Sequence, residues 1–184
     1  MNLPNLLTIF RIVAIPVIIW LVFIDNDIAR QVAFALYVVA CLTDYLDGYL
    51  ARKMNIVSDL GRMLDPIADK LLVGTLLIAF AYTGEFNLIE TWLAIAIMFR
   101  EIAVAGLREY LGNAQITVHV SKLAKYKTTV QLVALAIFMV VPLVPSVGSA
   151  AHGLLWLAAA LTVYTGYEYF AGAWPKLTGK AEAK

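Results

Sequence analysis

Cysteine is almost missing from this sequence: Cys41 stands alone in 184 residues. A single thiol excludes an internal disulfide and a cysteine-built metal centre, and within an apolar run it serves as a small apolar side chain. Histidine is nearly as scarce, and His119 and His152 lack metal-ligand spacing and read as loop or interface residues. Charged residues make up only 15%, against about 25% in a typical soluble domain. The net charge of +1 gives no basic excess of the kind that marks a nucleic-acid partner. No repeat, low-complexity tract or linker divides the chain, so a single domain is expected over residues 1–184. A cleavable signal is not expected either, because Arg11 and Pro16 interrupt the first apolar stretch and no small-residue cleavage site follows.

What fills the sequence is hydrocarbon. Apolar residues amount to 62% and the mean hydropathy is +0.81, too much for one water-soluble core. Six stretches come near the roughly 20 apolar residues that a spanning helix needs: Asn5–Ile24, Ala29–Tyr49, Pro66–Thr83, Leu88–Leu111, Leu123–Val141 and Ser149–Ala173. The chain therefore reads as an all-α polytopic membrane protein, a bundle of six transmembrane helices. Lysine and arginine collect on one side: Arg52, Lys53 and Arg62 after the second span, Arg108, Lys122, Lys125 and Lys127 around the fourth connection, and Lys176, Lys180 and Lys184 in the tail. The other side offers Asp25, Asp27, Glu85 and Glu90, with only Arg30 nearby. By the positive-inside bias both termini face the cytoplasm. Trp20, Trp92, Trp156 and Trp174 lie towards span ends, as interfacial anchors do.

Against that background four acids are out of place. Asp44 and Asp47 sit at the cytoplasmic end of the second span, and Asp65 and Asp69 at that of the third. An acid at mid-membrane costs roughly 2.5–3.5 kcal/mol, less near the interface. Asp44, Asp47 and Ala51 share one helical stripe, and Gly61, Asp65 and Asp69 share another. Adjacent helices on a short loop turn such stripes together, and carboxylates about 5 Å apart repel by roughly 3 kcal/mol at an effective dielectric of 20. Hard divalent cations relieve both costs, and four carboxylates suffice for two ions sharing a bridge. Structural ion pairs with Arg52, Arg62 and Lys70 are the competing reading, but they give no reason for Gly48 and Gly61, which leave room for a ligand against the backbone. Asp65, standing before Pro66, could also cap a helix that begins there.

The run Asp44-Tyr-Leu-Asp47-Gly48-Tyr-Leu-Ala51-Arg52, eight residues, then Gly61-Arg-Met-Leu-Asp65-Pro-Ile-Ala-Asp69 resembles the CDP-alcohol phosphotransferase signature at every defining position, and the six-span layout extends the likeness along the chain. The resemblance implies that Asp44, Asp47 and Asp65 hold two metal ions, Mg²⁺ or Mn²⁺, with Asp69 as a further ligand or as the general base. It implies that Gly48, Ala51 and Arg52 contact the CDP part of the donor and that Gly61 keeps space for it. It also implies a homodimer.

Within the family, the runs Asn5-Leu-Leu-Thr8-Ile-Phe-Arg11, Arg100-Glu101, Gly106-Leu-Arg108-Glu109 and Lys125-Tyr-Lys127-Thr128 favour a member that joins CDP-diacylglycerol to glycerol 3-phosphate over relatives using inositol phosphate, serine or choline. Ala124 departs from the glycine that many relatives carry before the lysine. A dianionic acceptor needs cations, and Lys125, Lys127, Arg100, Arg108 and Arg11 are the candidates. For Arg100-Glu101 the alternative is in-membrane ion pairing with Glu109 or a neighbouring helix, and for the lysines it is topology or headgroup contact. Two other classes fit less well: intramembrane aromatic prenyltransferases need about nine spans, and a divalent-cation transporter would place acids near mid-membrane on several helices. The expectation is a multi-pass enzyme of the cell membrane, the inner membrane in a bacterium, with its active site on the cytoplasmic face.

Overall fold

The computed structural model describes residues 3–54, 59–114 and 122–178; the side chains at 3, 4, 45, 47–54, 59, 62 and 122 also lie outside the described set. His119, Lys180 and Lys184 therefore fall outside it. Six helices follow one another: α1 (Leu3–Phe23), α2 (Asp27–Met54), α3 (Asp59–Tyr82), α4 (Leu88–Asn113), α5 (Lys122–Val140) and α6 (Gly148–Leu177), with a 3₁₀ turn at Pro145–Val147. Three segments are long and apolar enough to cross a bilayer by length and composition: Asn5–Phe23, Leu123–Val140 and Pro145–Leu177. The helices α2, α3 and α4 have 28, 24 and 26 residues, so at about 1.5 Å per residue each exceeds the roughly 30 Å hydrocarbon core. Their lower hydropathy comes from the charged residues they carry. Large apolar side chains face outward in numbers no aqueous surface would tolerate, among them Val13, Ile28, Ile78, Ile95 and Phe99, and all four tryptophans are exposed. This is a helical membrane protein.

Two boundaries matter for function. Asn26 caps α2, its Oδ1 accepting from the Ile28 and Ala29 amides at 2.9 and 3.2 Å, with Asp27 in the first turn to complement the helix dipole. The helix α3 begins at Asp59, so Pro66 lies inside it. Asp65 is thus an interior helical residue rather than the cap of a helix starting at proline. Proline can supply no amide to the carbonyl four residues back, and Lys70 Nζ donates to the Pro66 carbonyl at 3.2 Å.

The helices gather into two units. The first is Met1–Asn87 with Leu135–Ala151. In it α1 packs on α2 and α3 through a face that recurs every three or four residues: Asn5, Thr8, Arg11, Ile15, Ile18 and Val22 are buried. Its first half is polar and its second apolar. At the opposite end of α3, Gly84 adopts φ +78° and turns Phe86 back, so that Phe80, Phe86 and Phe138 meet with ring centroids 4.8–5.7 Å apart. Beside this cluster Arg30 Nη2 donates to Glu85 Oε1 at 2.6 Å. Burial raises the Glu85 carboxyl above its ordinary range, and the guanidinium opposes that shift.

The second unit is Leu88–Ala134 with His152–Lys184. On α6 the small residues Ala158, Thr162 and Gly166 recur every four positions and are buried, the spacing that lets membrane helices approach closely. Glu90, buried at the start of α4, meets His152 Nδ1 of α6 at 2.6 Å.

Removing one member of the Arg30–Glu85 pair leaves the other buried and uncompensated. Arg30→Ala is expected to cost about 3–5 kcal/mol, whereas Arg30→Met with Glu85→Leu costs far less; thermal unfolding in detergent measures both. Without Arg30 the Glu85 carboxyl holds its proton to still higher pH in the folded state. The charge penalty is therefore absent below the ordinary carboxylate pKa, about 4.3, and grows as pH rises through the raised value. The deficit of Arg30→Ala should be smallest at the acid end.

Candidate active site

One turn of α1 organises the acids of the first unit. Thr8 and Arg11 stand three residues apart on its buried face. The Thr8 hydroxyl donates to Asp65 Oδ1 of α3 at 2.8 Å, and Arg11 Nη1 donates to Asp44 Oδ1 of α2 at 2.5 Å. Side-chain exposure is uneven across the ion pair, 1% for Arg11 and 48% for Asp44. The cation is out of water while its partner opens onto the surface. Asp69 follows Asp65 by one turn and is half-buried. It lies within electrostatic reach of Tyr37 and Cys41 on α2, and Cys41 feels Asp44 and Arg11 as well. Asp44 and Asp69 thus act on the same stretch of α2 from two helices.

These residues suit a divalent cation by their chemistry. Each carboxylate has two oxygens, so Asp44 and Asp65 can hold α1 through Oδ1 and still offer Oδ2, a hard donor of the kind Mg²⁺ takes. Among the described residues no three acids, histidines or cysteines form a ready metal cage; Asp47, the fourth acid of the motif, has its side chain outside the described set. So do Gly48, Ala51 and Arg52 of the donor motif, although the helix α2 runs through all of them. Gly61 lies half-buried on α3. Thr8 is the acid partner that sequence reasoning missed. Its signal was present in the Asn5, Thr8, Arg11 spacing, a polar stripe on the buried side of an otherwise apolar helix.

The expected acceptor cations separate into three settings. Arg11 belongs to Asp44. Arg108 and Lys125 are exposed. Arg100 and Lys127, both in the second unit, converge on Glu101: Arg100 Nη1 donates to its Oε1 at 3.0 Å, and Lys127 Nζ donates to the same oxygen. Because α5 is regular across both lysines, Lys125 and Lys127 diverge by about 200°, one outward and the other inward. Thr165 of α6 completes the cluster, accepting from Arg100 Nη2 at 3.0 Å.

The acids of α2 and α3 are thus held by a third membrane helix, α1. The sequence matches the family model for CDP-alcohol phosphatidyltransferase over residues 1–164, and the chain belongs to that family. It is similar to a CDP-diacylglycerol–glycerol-3-phosphate 3-phosphatidyltransferase of Rickettsia typhi, 46% identical over 179 residues that cover 92% of this chain and 95% of that protein. A Bacillus subtilis protein of the same name is 36% identical over 190 residues, covering 96% and 97%. A probable phosphatidylglycerophosphate synthase of Mycobacterium tuberculosis is 38% identical over 175 residues, covering 94% and 81%.

The grip of α1 on the acids predicts a graded effect of its two polar residues. A hydrogen bond to a charged group contributes about 1.5–3 kcal/mol, so Thr8→Val should lower turnover by roughly 10- to 150-fold as Asp65 loses its orientation. Arg11→Met should lower it at least as much. Turnover by purified variants, set beside their melting midpoints, checks this; loss of stability with normal turnover would make the contacts structural only.

Proposed function

We propose that this chain transfers the phosphatidyl group of CDP-diacylglycerol to glycerol 3-phosphate, giving phosphatidylglycerol phosphate and CMP, on the cytoplasmic face of the cell membrane. The observation that carries the reading is the complete two-helix acidic signature, with Asp44 and Asp65 oriented by one turn of α1. The names of its relatives support the choice of both substrates.

In this reading the acceptor hydroxyl attacks the lipid-bearing phosphorus of the donor, the bond from that phosphorus to CMP breaks, and Asp69 takes the hydroxyl proton. Two divalent ions, Mg²⁺ or Mn²⁺, would be held by Asp44, Asp47 and Asp65 with Asp69 at the margin; when bound they neutralise charge on the pyrophosphate and the departing CMP. Thr8 and Arg11 keep two of those carboxylates in register. Gly48, Ala51 and Arg52 bind the cytidine phosphate end, and Gly61 leaves it room. Arg100 and Lys127 bind the acceptor phosphate; Lys125 and Arg108, being exposed, contribute by attraction from outside. Arg11 is better suited to orienting Asp44 than to meeting the acceptor. The distribution of lysine and arginine supports a cytoplasmic site with both termini on that side, and the family resemblance supports a homodimer.

Purified protein supplied with CDP-diacylglycerol should convert labelled glycerol 3-phosphate, and not inositol phosphate, into lipid. Chelator should abolish the reaction and Mg²⁺ or Mn²⁺ restore it; inorganic metal flux through liposomes without the lipid donor would instead indicate a transporter. Asp44→Asn, Asp47→Asn and Asp65→Asn should each remove turnover in protein that still inserts. Asp69→Asn should lower kcat by about 10²–10⁴-fold with donor binding retained; severe loss of donor or metal affinity would make Asp69 chiefly a ligand.

A further inference from the structure

The cations read above as the acceptor's phosphate site are already engaged by an anion of the chain itself. Arg100 Nη1 and Lys127 Nζ both donate to Glu101 Oε1, and side-chain exposure is 4% for Lys127, 13% for Arg100 and 16% for Glu101. Two positive charges meet on one carboxylate oxygen, with most of their surface removed from water. Thr165 and Glu168 are the polar and charged residues that α6 brings to this face, and Lys125 on α5 points away from it.

Arg100 does not depend on Glu101 alone for its place. Its Nη2 is held by Thr165 Oγ1 at 3.0 Å, and that hydroxyl gives its own proton to the Leu161 carbonyl at 2.7 Å, leaving oxygen lone pairs directed to the guanidinium. The arginine stem lies against Gly166, where a Cβ would stand 2.7 Å from Arg100 Cγ. Glycine at this point of α6 is therefore what admits the arginine. The guanidinium is fixed from the α6 side, and the Glu101 carboxylate can withdraw without releasing it.

We propose that Glu101 is the specificity-determining positioning residue of the acceptor site: a resident counter-anion that aims Arg100 and Lys127 at one point and is displaced there by the acceptor's phosphate. The inference rests on the reading of Arg100 and Lys127 as phosphate-binding residues. The chemistry follows from charge. A ligand that evicts a carboxylate from two cations must offer them more than the carboxylate does. A dianionic phosphate monoester brings twice the charge and three acceptor oxygens. A singly charged phosphodiester brings no more charge than Glu101 and so gains little by exchange, and a neutral polyol gains nothing. Selection against such acceptors thus comes from what must be displaced, as well as from what is contacted. With the acceptor absent, the same carboxylate spares the two cations an uncompensated burial.

The test compares glycerol 3-phosphate with its methyl phosphodiester, glycerol 3-(methyl phosphate), as acceptors for the intact enzyme with CDP-diacylglycerol. The ratio of their kcat/KM values cancels ionisations of the enzyme common to both. In the wild type the ratio should favour the dianion strongly and fall as pH drops through the second phosphate ionisation, near about 6. Glu101→Gln should reduce the ratio by about tenfold or more, through a lower KM for the diester, while Glu101→Asp, which keeps the charge, should largely retain it. A Glu101→Gln enzyme slowed equally with both acceptors would overturn the proposal and leave Glu101 a structural residue. If that variant does not fold, a wild-type ratio that stays flat across pH would overturn it, and one that steps near the phosphate ionisation supports it. Lys127→Gln and Arg100→Gln separate the two readings. If both leave KM for glycerol 3-phosphate unchanged, the phosphate site itself has been misassigned. If they raise it while Glu101→Gln leaves the ratio intact, only the role of Glu101 fails.

Discussion

A charge carried into a bilayer must be met there by another charge, by hydrogen bonds or by a ligand, and in the first unit that requirement falls on Arg11. Its side chain is almost wholly buried on a helix whose inward face beyond it is aliphatic, and the charge is answered by Asp44 across the α1–α2 contact. One turn earlier Thr8 reaches Asp65 on α3. The most apolar helix of the chain thereby becomes the reference on which two acidic helices are set. Moving α1 by one residue would turn Thr8 and Arg11 about 100° away from both acids. The packing of Ile15, Ile18 and Val22 further along the same face opposes such a slip, so the apolar half of α1 fixes the register that its polar half uses.

The second unit meets the same requirement differently. There the anion is shared, one Glu101 oxygen receiving both Arg100 and Lys127, and the Thr165 hydroxyl accepts from Arg100 as well. In the first unit the acid is the exposed partner and the cation is sealed in. In the second all three groups are mostly buried, with two cations on one carboxylate oxygen. An exposed carboxylate held from behind suits the binding of cations, and a buried pair of converging cations suits the binding of anions. The two clusters therefore have opposite preferences, one for cations and the other for anions.

Much of this was legible in the order of residues. Helix number followed from hydropathy, because hydrocarbon thickness fixes span length; the acidic pair of stripes followed from the 3.6-residue period. Partner choice was less accessible. Arg11 was grouped with the acceptor cations because sequence shows its sign and approximate depth but not which neighbouring helix its side chain meets. Lys125 and Lys127 looked alike as neighbours in a basic stretch, and only the regularity of α5 separates them into an exposed and a buried residue. Pro66 suggested a helix start, yet α3 begins at Asp59, since a helix anchored by tertiary contacts tolerates the one amide that proline withholds. Gly166 gave no signal at all, because its reason lies on α4, in the arginine stem that crosses it.

That last case shows how a functional site shapes residues that perform no chemistry. Arg100 is long enough to lie along α6 only if the helix surface is cut away beneath it. Ala158, Thr162 and Gly166 keep that surface low, and lowest at the arginine stem. Their four-residue spacing serves close packing where the neighbours are apolar, and at Gly166 it serves the passage of a charged side chain. A larger residue there would meet the arginine stem and push the guanidinium off Thr165. Glycine in a helix interior costs about 0.5–1 kcal/mol relative to alanine, which is modest beside the cost of leaving a buried arginine without its hydrogen bonds. The helix accepts the smaller loss because the position of the cation depends on it.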